Sequence, residues 1–386
     1  MVSNLISRDS FLICIVEFLI SLGFSAIDPI MPSYLLTFGV TYTIMGLIIS
    51  ALSFSRVFFN MMAGTLRDAI GSRKTILAGL LLRGLGIVFF ALASDIFQLT
   101  LTRLIMGAGG ALYAISSLIF VAYSAPKEQR ATYLSYYHAS LYAGEIIGPT
   151  FGGVMITIIG FKTALVLVGV FCFTSMIIVF TLLNNNKLEG KKKINISSEK
   201  PKFSGALLNL QFLAIGLILL AHHLVSSMRT TMIPLYGENW LNLSYTEVGL
   251  VISTVNITTL LFILPIGKLV DRWGRKIFVM IGFVLQSMSA LLFSLSRNQS
   301  SMFFGSMLLG SGGGILETAM QLASIEYARP EDAGRVVGAL RTIGDFGLFI
   351  GPPIFGFLID IMGVSTPFYL ISVVCIITAI IAYIIV

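Results

Sequence analysis

Charge is what this sequence has least of. Only 11% of its 386 residues are Asp, Glu, Lys or Arg, against about 25% in a typical soluble domain. A water-facing surface of this size cannot be built from that supply, which excludes a soluble enzyme and a soluble nucleic-acid binder. Cysteine is scarce as well. Cys14, Cys172 and Cys375 stand far apart inside apolar runs, which excludes a disulfide framework and a cysteine-based zinc cluster. There is no G-x-x-x-x-G-K-[ST] loop, and Gly312-Gly313-Gly314 lies in an apolar stretch with no lysine after it. ATP-driven work within this chain is therefore excluded. His222 and His223 are adjacent, hence about 100° apart on a helix, and do not form a chelating pair at i, i+4. Neither a metal nor a cofactor is expected, and hydrogen-bonded packing is the preferred reading of the histidines over a proton relay.

What the sequence has in abundance is apolar length. Hydrophobic residues make up 56%, and a membrane-spanning helix needs about 20 of them in a row. Such stretches fall at roughly 10–36, 42–66, 74–94, 96–124, 131–158, 161–184, 207–236, 244–270, 276–296, 300–328, 333–361 and 365–386. The expected fold is therefore all-α, a polytopic membrane protein of twelve spans. The first span is too long for a cleavable leader, carries Glu17 and Asp28, and is followed by no small-residue cleavage site, so it is expected to stay. With an even number of spans both termini lie on one side. Placing them in the cytoplasm puts 18 of the 25 basic residues on inner segments, with only Lys162 and Arg297 on outer loops. That bias is the positive-inside pattern, and it places the chain in the plasma or inner membrane with cytoplasmic termini. The hydrophilic stretch 185–206 reads as a cytoplasmic linker between a half at 1–184 and a half at 207–386. Its Lys191, Lys192 and Lys193 suit contact with lipid headgroups.

The two halves are copies. Gly64, Asp68 and Gly71 recur 203 residues later as Gly267, Asp271 and Gly274; Gly107 and Gly110 recur as Gly310 and Gly313. Gly144, Gly148, Pro149 and Gly153 recur as Gly347, Gly351, Pro352 and Gly356, and Pro32 matches Pro234 after a one-residue slip. Six spans per copy is even, so the copies share one membrane orientation, as in transporters built from parallel repeats.

These motifs resemble the major facilitator superfamily over essentially the whole length. Its signature loop, G-x-L-x-D-R-x-G-R-K, has a counterpart in Gly64-Thr-Leu-Arg-Asp68-Ala-Ile-Gly71-Ser-Arg73-Lys74. The copy reads Gly267-Lys-Leu-Val-Asp271-Arg272-Trp-Gly274-Arg275-Lys276. In physical terms Gly64 and Gly267 are expected to let their helices approach a neighbour, and Gly71 and Gly274 to permit a tight turn. Asp68 and Asp271 are expected to cap a helix or pair with arginine. The resemblance adds an inner gate, with Glu128 and Arg130 in one partner loop and Glu331 and Arg335 in the other. Gly144, Gly148, Pro149, Gly152 and Gly153 match the G-x-x-x-G-P-x-x-G-G motif of the superfamily's antiporters, drug/proton exchangers among them. Small-residue packing would explain the same glycines. Thr102-Arg103 and Asp28-Pro29-Ile-Met-Pro32 are similar to further patterns of that branch.

Charges inside spans are costly, at least about 2.5 kcal/mol each, and normally face a cavity or a partner. Arg56, Arg83, Arg103, Arg229 and Arg341 are matched in number by Glu17, Asp28, Glu145, Glu317 and Asp345. Pairing that only fixes packing remains open for Arg83. Asp28, Glu17, Arg103, Glu145 and Asp345 are the candidates for proton coupling in a cavity. The expectation is a monomeric secondary transporter rather than an enzyme. It would exchange protons for small organic, drug-like compounds by alternating access. The alternative is a symporter or uniporter for an organic anion or other small solute.

Overall fold

The computed structural model describes residues 6–126, 129–183, 210–327 and 333–385, and among them every regular element is helical. In chain order these are α1 (Arg8–Ile27), α2 (Met31–Leu36), α3 (Tyr42–Ile70), α4 (Ser72–Leu92), α5 (Ile96–Ser124) and α6 (Arg130–Leu182). They continue with α7 (Leu210–Asn239), α8 (Tyr245–Trp273), α9 (Arg275–Leu295), α10 (Gln299–Tyr327), α11 (Ala333–Met362) and α12 (Thr366–Ile385). A 3-10 turn at Asp28–Ile30 joins α1 to α2, where Pro29 and Pro32 interrupt the backbone ladder. The two therefore form one span. α6 is two spans, because Gly160 stands at φ 75° and ψ 168°, a non-helical conformation open to glycine. With that division the described helices follow the twelve expected stretches in order, and ten helices, α6 counted once, are long and apolar enough to cross a membrane. The linker at 185–206 lies outside the described residues.

Outward faces are apolar. Phe97, Ile158 and Leu92 are 75%, 74% and 67% exposed, which suits hydrocarbon and not water. Polar side chains inside the helices mostly bond back to backbone carbonyls, as Thr102 Oγ1 does to Gln98 at 2.8 Å. That is how hydroxyls are satisfied where no water reaches.

The described residues of Met1–Asp28 with Ala51–Lys200 form one compact unit, and those of Pro29–Ser50 with Pro201–Val386 form another. Several packing contacts recur in both units. A Cβ on Gly109 would lie 2.7 Å from the Gly79 carbonyl, and one on Gly312 would lie 2.6 Å from the Gly282 carbonyl. Gly107 abuts the Leu52 carbonyl as Gly310 abuts that of Val255. Arg73 lies over the Phe180 ring at 5.7 Å and Lys276 over the Tyr383 ring at 5.0 Å. All these pairs differ by 203 residues. α1 matches α7 at 202, since Gly148 meets Ser25 as Gly351 meets Ser227.

Within the second unit, the first turn of α3 is capped by a residue far along the chain. Asp360 accepts hydrogen bonds from Tyr42 N at 3.1 Å, Thr43 N at 2.9 Å and Thr43 Oγ1 at 2.6 Å. The carboxylate thus serves donors that a helix start leaves without intrahelical partners.

The signature loops are partly as expected. Gly71 and Gly274 adopt φ of 89° and 80°, turning α3 into α4 and α8 into α9. Asp68 pairs with the neighbouring Arg67 Nη1 at 2.8 Å instead of capping α4. Arg67 also donates to Ser72 Oγ at 3.0 Å, and Arg73 donates to the Phe180 carbonyl. Among the described residues, a Cβ on Gly64 would meet nothing within 4 Å, and one on Gly267 only Thr318 Cγ2 at 4.0 Å, so neither glycine is held against a neighbouring helix of its own unit. Glu128 and Glu331 lie outside the described residues, as do the side chains of Asp271 and Arg335.

Candidate functional site

The first unit contains a cavity of about 230 Å³ at mid-helix depth. α1 contributes Glu17, the 3-10 turn after it Asp28, α3 contributes Arg56, α4 contributes Arg83, α5 contributes Tyr113, and α6 contributes Glu145. Local packing explains how five helices converge there. Ser21 Oγ donates to the Leu141 carbonyl at 2.8 Å and Ser25 Oγ to that of Gly144 at 2.9 Å, tying α1 to α6. Glycine permits the approach: a Cβ on Gly144 would lie 2.6 Å from Leu22 N, and on Gly148 or Gly152 it would overlap Ser25 or the Ala26 backbone. Gly153 is buried beside them, and Pro149 lies inside the same helix. The motif glycines of α6 are thus packing residues for α1, and they bring Glu145 to the cavity wall.

Glu17 is buried and held by hydrogen bonds. It is 6% exposed and accepts a hydrogen bond from the Tyr113 hydroxyl at 2.7 Å. Tyr137 also hydrogen-bonds to it, and the charge of Arg83 acts on it. Tyr137 in turn shares a hydrogen bond with Ser117 at 3.0 Å. The Arg83 guanidinium lies 3.7 Å from the centre of the Phe24 ring and 6.0 Å from that of Tyr113, a cation–π arrangement that suits a desolvated cation. Arg103 is 4% exposed and interacts electrostatically with Asp28, although its side chain does not line the cavity. Counting it, three carboxylates face three guanidinium groups, and the site is neutral when all are ionised.

Among the sequence candidates the cavity gathers Glu17, Asp28 and Glu145, and Arg103 interacts with Asp28. Arg83, left open between packing and function, lines it too. Tyr113 and Tyr137 were missed. Tyrosine in an apolar span carries no charge signal, and its contact with Glu17 depends on helix rotation. Asp345 belongs to the second unit, where its Oδ1 lies 3.8 Å from His223 Nδ1. His222 Nε2 lies 3.8 Å from Glu317 Oε2. The histidines therefore face carboxylates on two different helices. No group of His, Cys, Asp and Glu suited to a metal ion occurs among the described residues.

Comparison with known proteins agrees with this architecture. The chain is 26% identical over 382 residues to an uncharacterized MFS-type transporter, MJ1560, of Methanocaldococcus jannaschii, covering 98% of each. It is 26% identical to the quinolone resistance protein NorA of Staphylococcus aureus, covering 92% of this chain and 90% of the relative. With the class B tetracycline resistance protein of Escherichia coli it shares 23% identity, covering 88% and 86%. Among solved structures, a POT family transporter in complex with 5-aminolevulinic acid superposes with a TM-score of 0.81 at 15% identity, covering 97% and 95%. A bacterial homologue of the lysosomal transporter Spinster gives 0.78 at 14%, covering 98% and 95%. The family model of the Major Facilitator Superfamily matches residues 13–240 and 215–386, so this multi-pass membrane chain is a member of that superfamily of transporters.

Proposed function

We propose that this protein is a proton-coupled antiporter that exports small organic, drug-like compounds by alternating access. The observation that carries the reading is the first-unit cavity, where Glu17 is held by Tyr113 beside Asp28, Glu145, Arg56 and Arg83. Its charges cancel. One bound proton or one bound organic cation therefore leaves a single positive charge, and both together leave two. Two unit charges about 6 Å apart at an effective dielectric near 20 repel by about 3 kcal/mol, about a hundredfold in affinity. Mutual exclusion of that size is what exchange requires. The resistance proteins among the relatives support a drug-like substrate, since quinolones and tetracyclines are such compounds.

In this reading Asp28 and Glu17 are the proton-coupling carboxylates and Arg103 tunes Asp28. Glu145 and Asp345 are secondary candidates. The signature loops carrying Asp68 and Asp271 form inner gates. The halves divide at the 185–206 linker, and both termini and Lys191–Lys193 lie on the cytoplasmic side. The working unit is a monomer in the cell membrane. The test is transport into liposomes holding the purified protein and an internal pH dye, against a panel of lipophilic cations and neutral drugs. Compound-dependent proton movement, abolished in Glu17→Gln, is expected. Accumulation of compound with no proton movement would replace antiport by uniport.

A further inference from the structure

The duplication gives the cavity an image in the second unit, and the residues there are unlike those they replace. Ile20 and Ser21 of α1 and Ala114 of α5 all line the first-unit cavity. Shifted by 202 for the first helix of each unit and 203 elsewhere, they become His222, His223 and Glu317. Three apolar or small residues in one copy are three titratable residues in the other. Asp345 completes the group from α11.

The geometry joins them into a row. Adjacent positions on α7 diverge by about 100°, so His222 turns to Glu317 on α10 and His223 to Asp345 on α11, each at 3.8 Å. The rings remain 5.8 Å apart, centroid to centroid. His223 rests on the backbone of Gly344, where a Cβ would lie 2.6 Å from its Nδ1, so the ring's place depends on glycine. His222 is 7% exposed, and neither Nδ1 makes a hydrogen bond. Other charges nearby are few. Arg229, two turns further along α7, donates to Asn256 of α8 at 2.6 Å. Arg341 lies one turn before Asp345 on α11. α2 and α12, which also pack on α7, contribute no charged residue.

We infer that Glu317, His222, His223 and Asp345 form a second proton-binding site, in which each histidine is loaded against its own carboxylate. The row carries two negative charges when both imidazoles are neutral and none when both hold a proton. It therefore absorbs up to two protons without becoming positive. The inference rests on the proton-coupled reading for its use in transport, but proton binding there is independent of any substrate.

Nitrogen NMR of histidine-labelled full-length protein in nanodiscs tests it, in a His138→Gln background that leaves the two signals of interest. Both imidazoles are expected to change protonation state between pH 5 and 9. Glu317→Gln should cost His222 about tenfold in proton affinity, and Asp345→Asn should do the same to His223, each more than it affects the other ring. Both carboxylate variants retain the histidines, so a misfolded double-histidine variant does not decide the matter. Imidazoles that stay neutral to pH 5, or that ignore both substitutions, would overturn the site. In liposomes, His222→Gln/His223→Gln should lower accumulation driven by a one-unit pH gradient by about tenfold for each proton the row carries. Unchanged accumulation in a folded double variant would overturn its coupling role. Wild-type protein that never accumulates substrate against a pH gradient would tell against antiport instead, and would leave the NMR result standing.

Discussion

The Tyr113 hydroxyl lies 2.7 Å from Glu17 Oε2, linking α5 to α1 across 96 residues of sequence. A hydrogen bond to a charged group is worth about 1.5–3 kcal/mol, and removing one member leaves the other poorly satisfied. Tyr113→Phe and Glu17→Gln should therefore be non-additive. We expect the double variant to be no less stable to thermal unfolding than Glu17→Gln alone, with a coupling energy of at least about 1 kcal/mol. Simple addition of the two losses would mean that the pair does not act as a unit.

Asp28 should separate binding from driving force. Asp28→Asn keeps size and hydrogen-bonding capacity but removes the titratable group. Uphill, pH-driven transport should be lost while downhill exchange persists, and binding should lose the weakening on acidification expected of wild type. Concentrative transport by Asp28→Asn would pass the coupling role to Glu17, Glu145 or Asp345.

Two glycines of similar sequence standing should behave oppositely. In Gly152→Ala the new methyl meets backbone of Ala26, which cannot yield as a flexible side chain would. A cost of about 1–3 kcal/mol is expected. Gly64→Ala meets nothing within 4 Å and gains up to about 1 kcal/mol of helix propensity. Thermal unfolding in detergent should show the first variant melting lower and the second unchanged or higher. A slower but stable Gly64→Ala would locate that glycine's role in motion; equal destabilisation of both would contradict the packing described for α6 and α1.

Membrane orientation can be read with impermeant thiol reagents. The three native cysteines are buried, so the background is low. Arg297→Cys should label in intact cells and Lys192→Cys only after permeabilisation. The reverse pattern would invert the topology.

The spans, their number and the repeat were legible because each is local or periodic: apolar length marks a span, and a constant offset marks a copy. The site was legible only in its parts. Embedded charge singled out Glu17, Asp28, Glu145 and Arg83 as costly. Which of them meet is decided by helix rotation, and helices that are apolar on most faces give little periodic signal to set it. Tyr113 and Tyr137 were invisible for that reason. Gly64 is a different case: a glycine in a helix suggests close approach, but only a neighbour's backbone can supply it, and none within its own unit does.

The packing contacts that recur at a fixed offset also say something about inheritance. Gly109 against Gly79 and Gly312 against Gly282 hold the two units to one plan. Yet the counterparts of Glu17, Arg83 and Tyr113 in the second unit are Leu219, Gln286 and Leu316. Duplication has preserved the joinery and let the ionisable groups drift apart. Scaffold and chemistry are consequently separable in this chain. A chain joining two copies of the first half would carry the same charged site twice, yet would lack the Asp360 carboxylate that caps the start of α3.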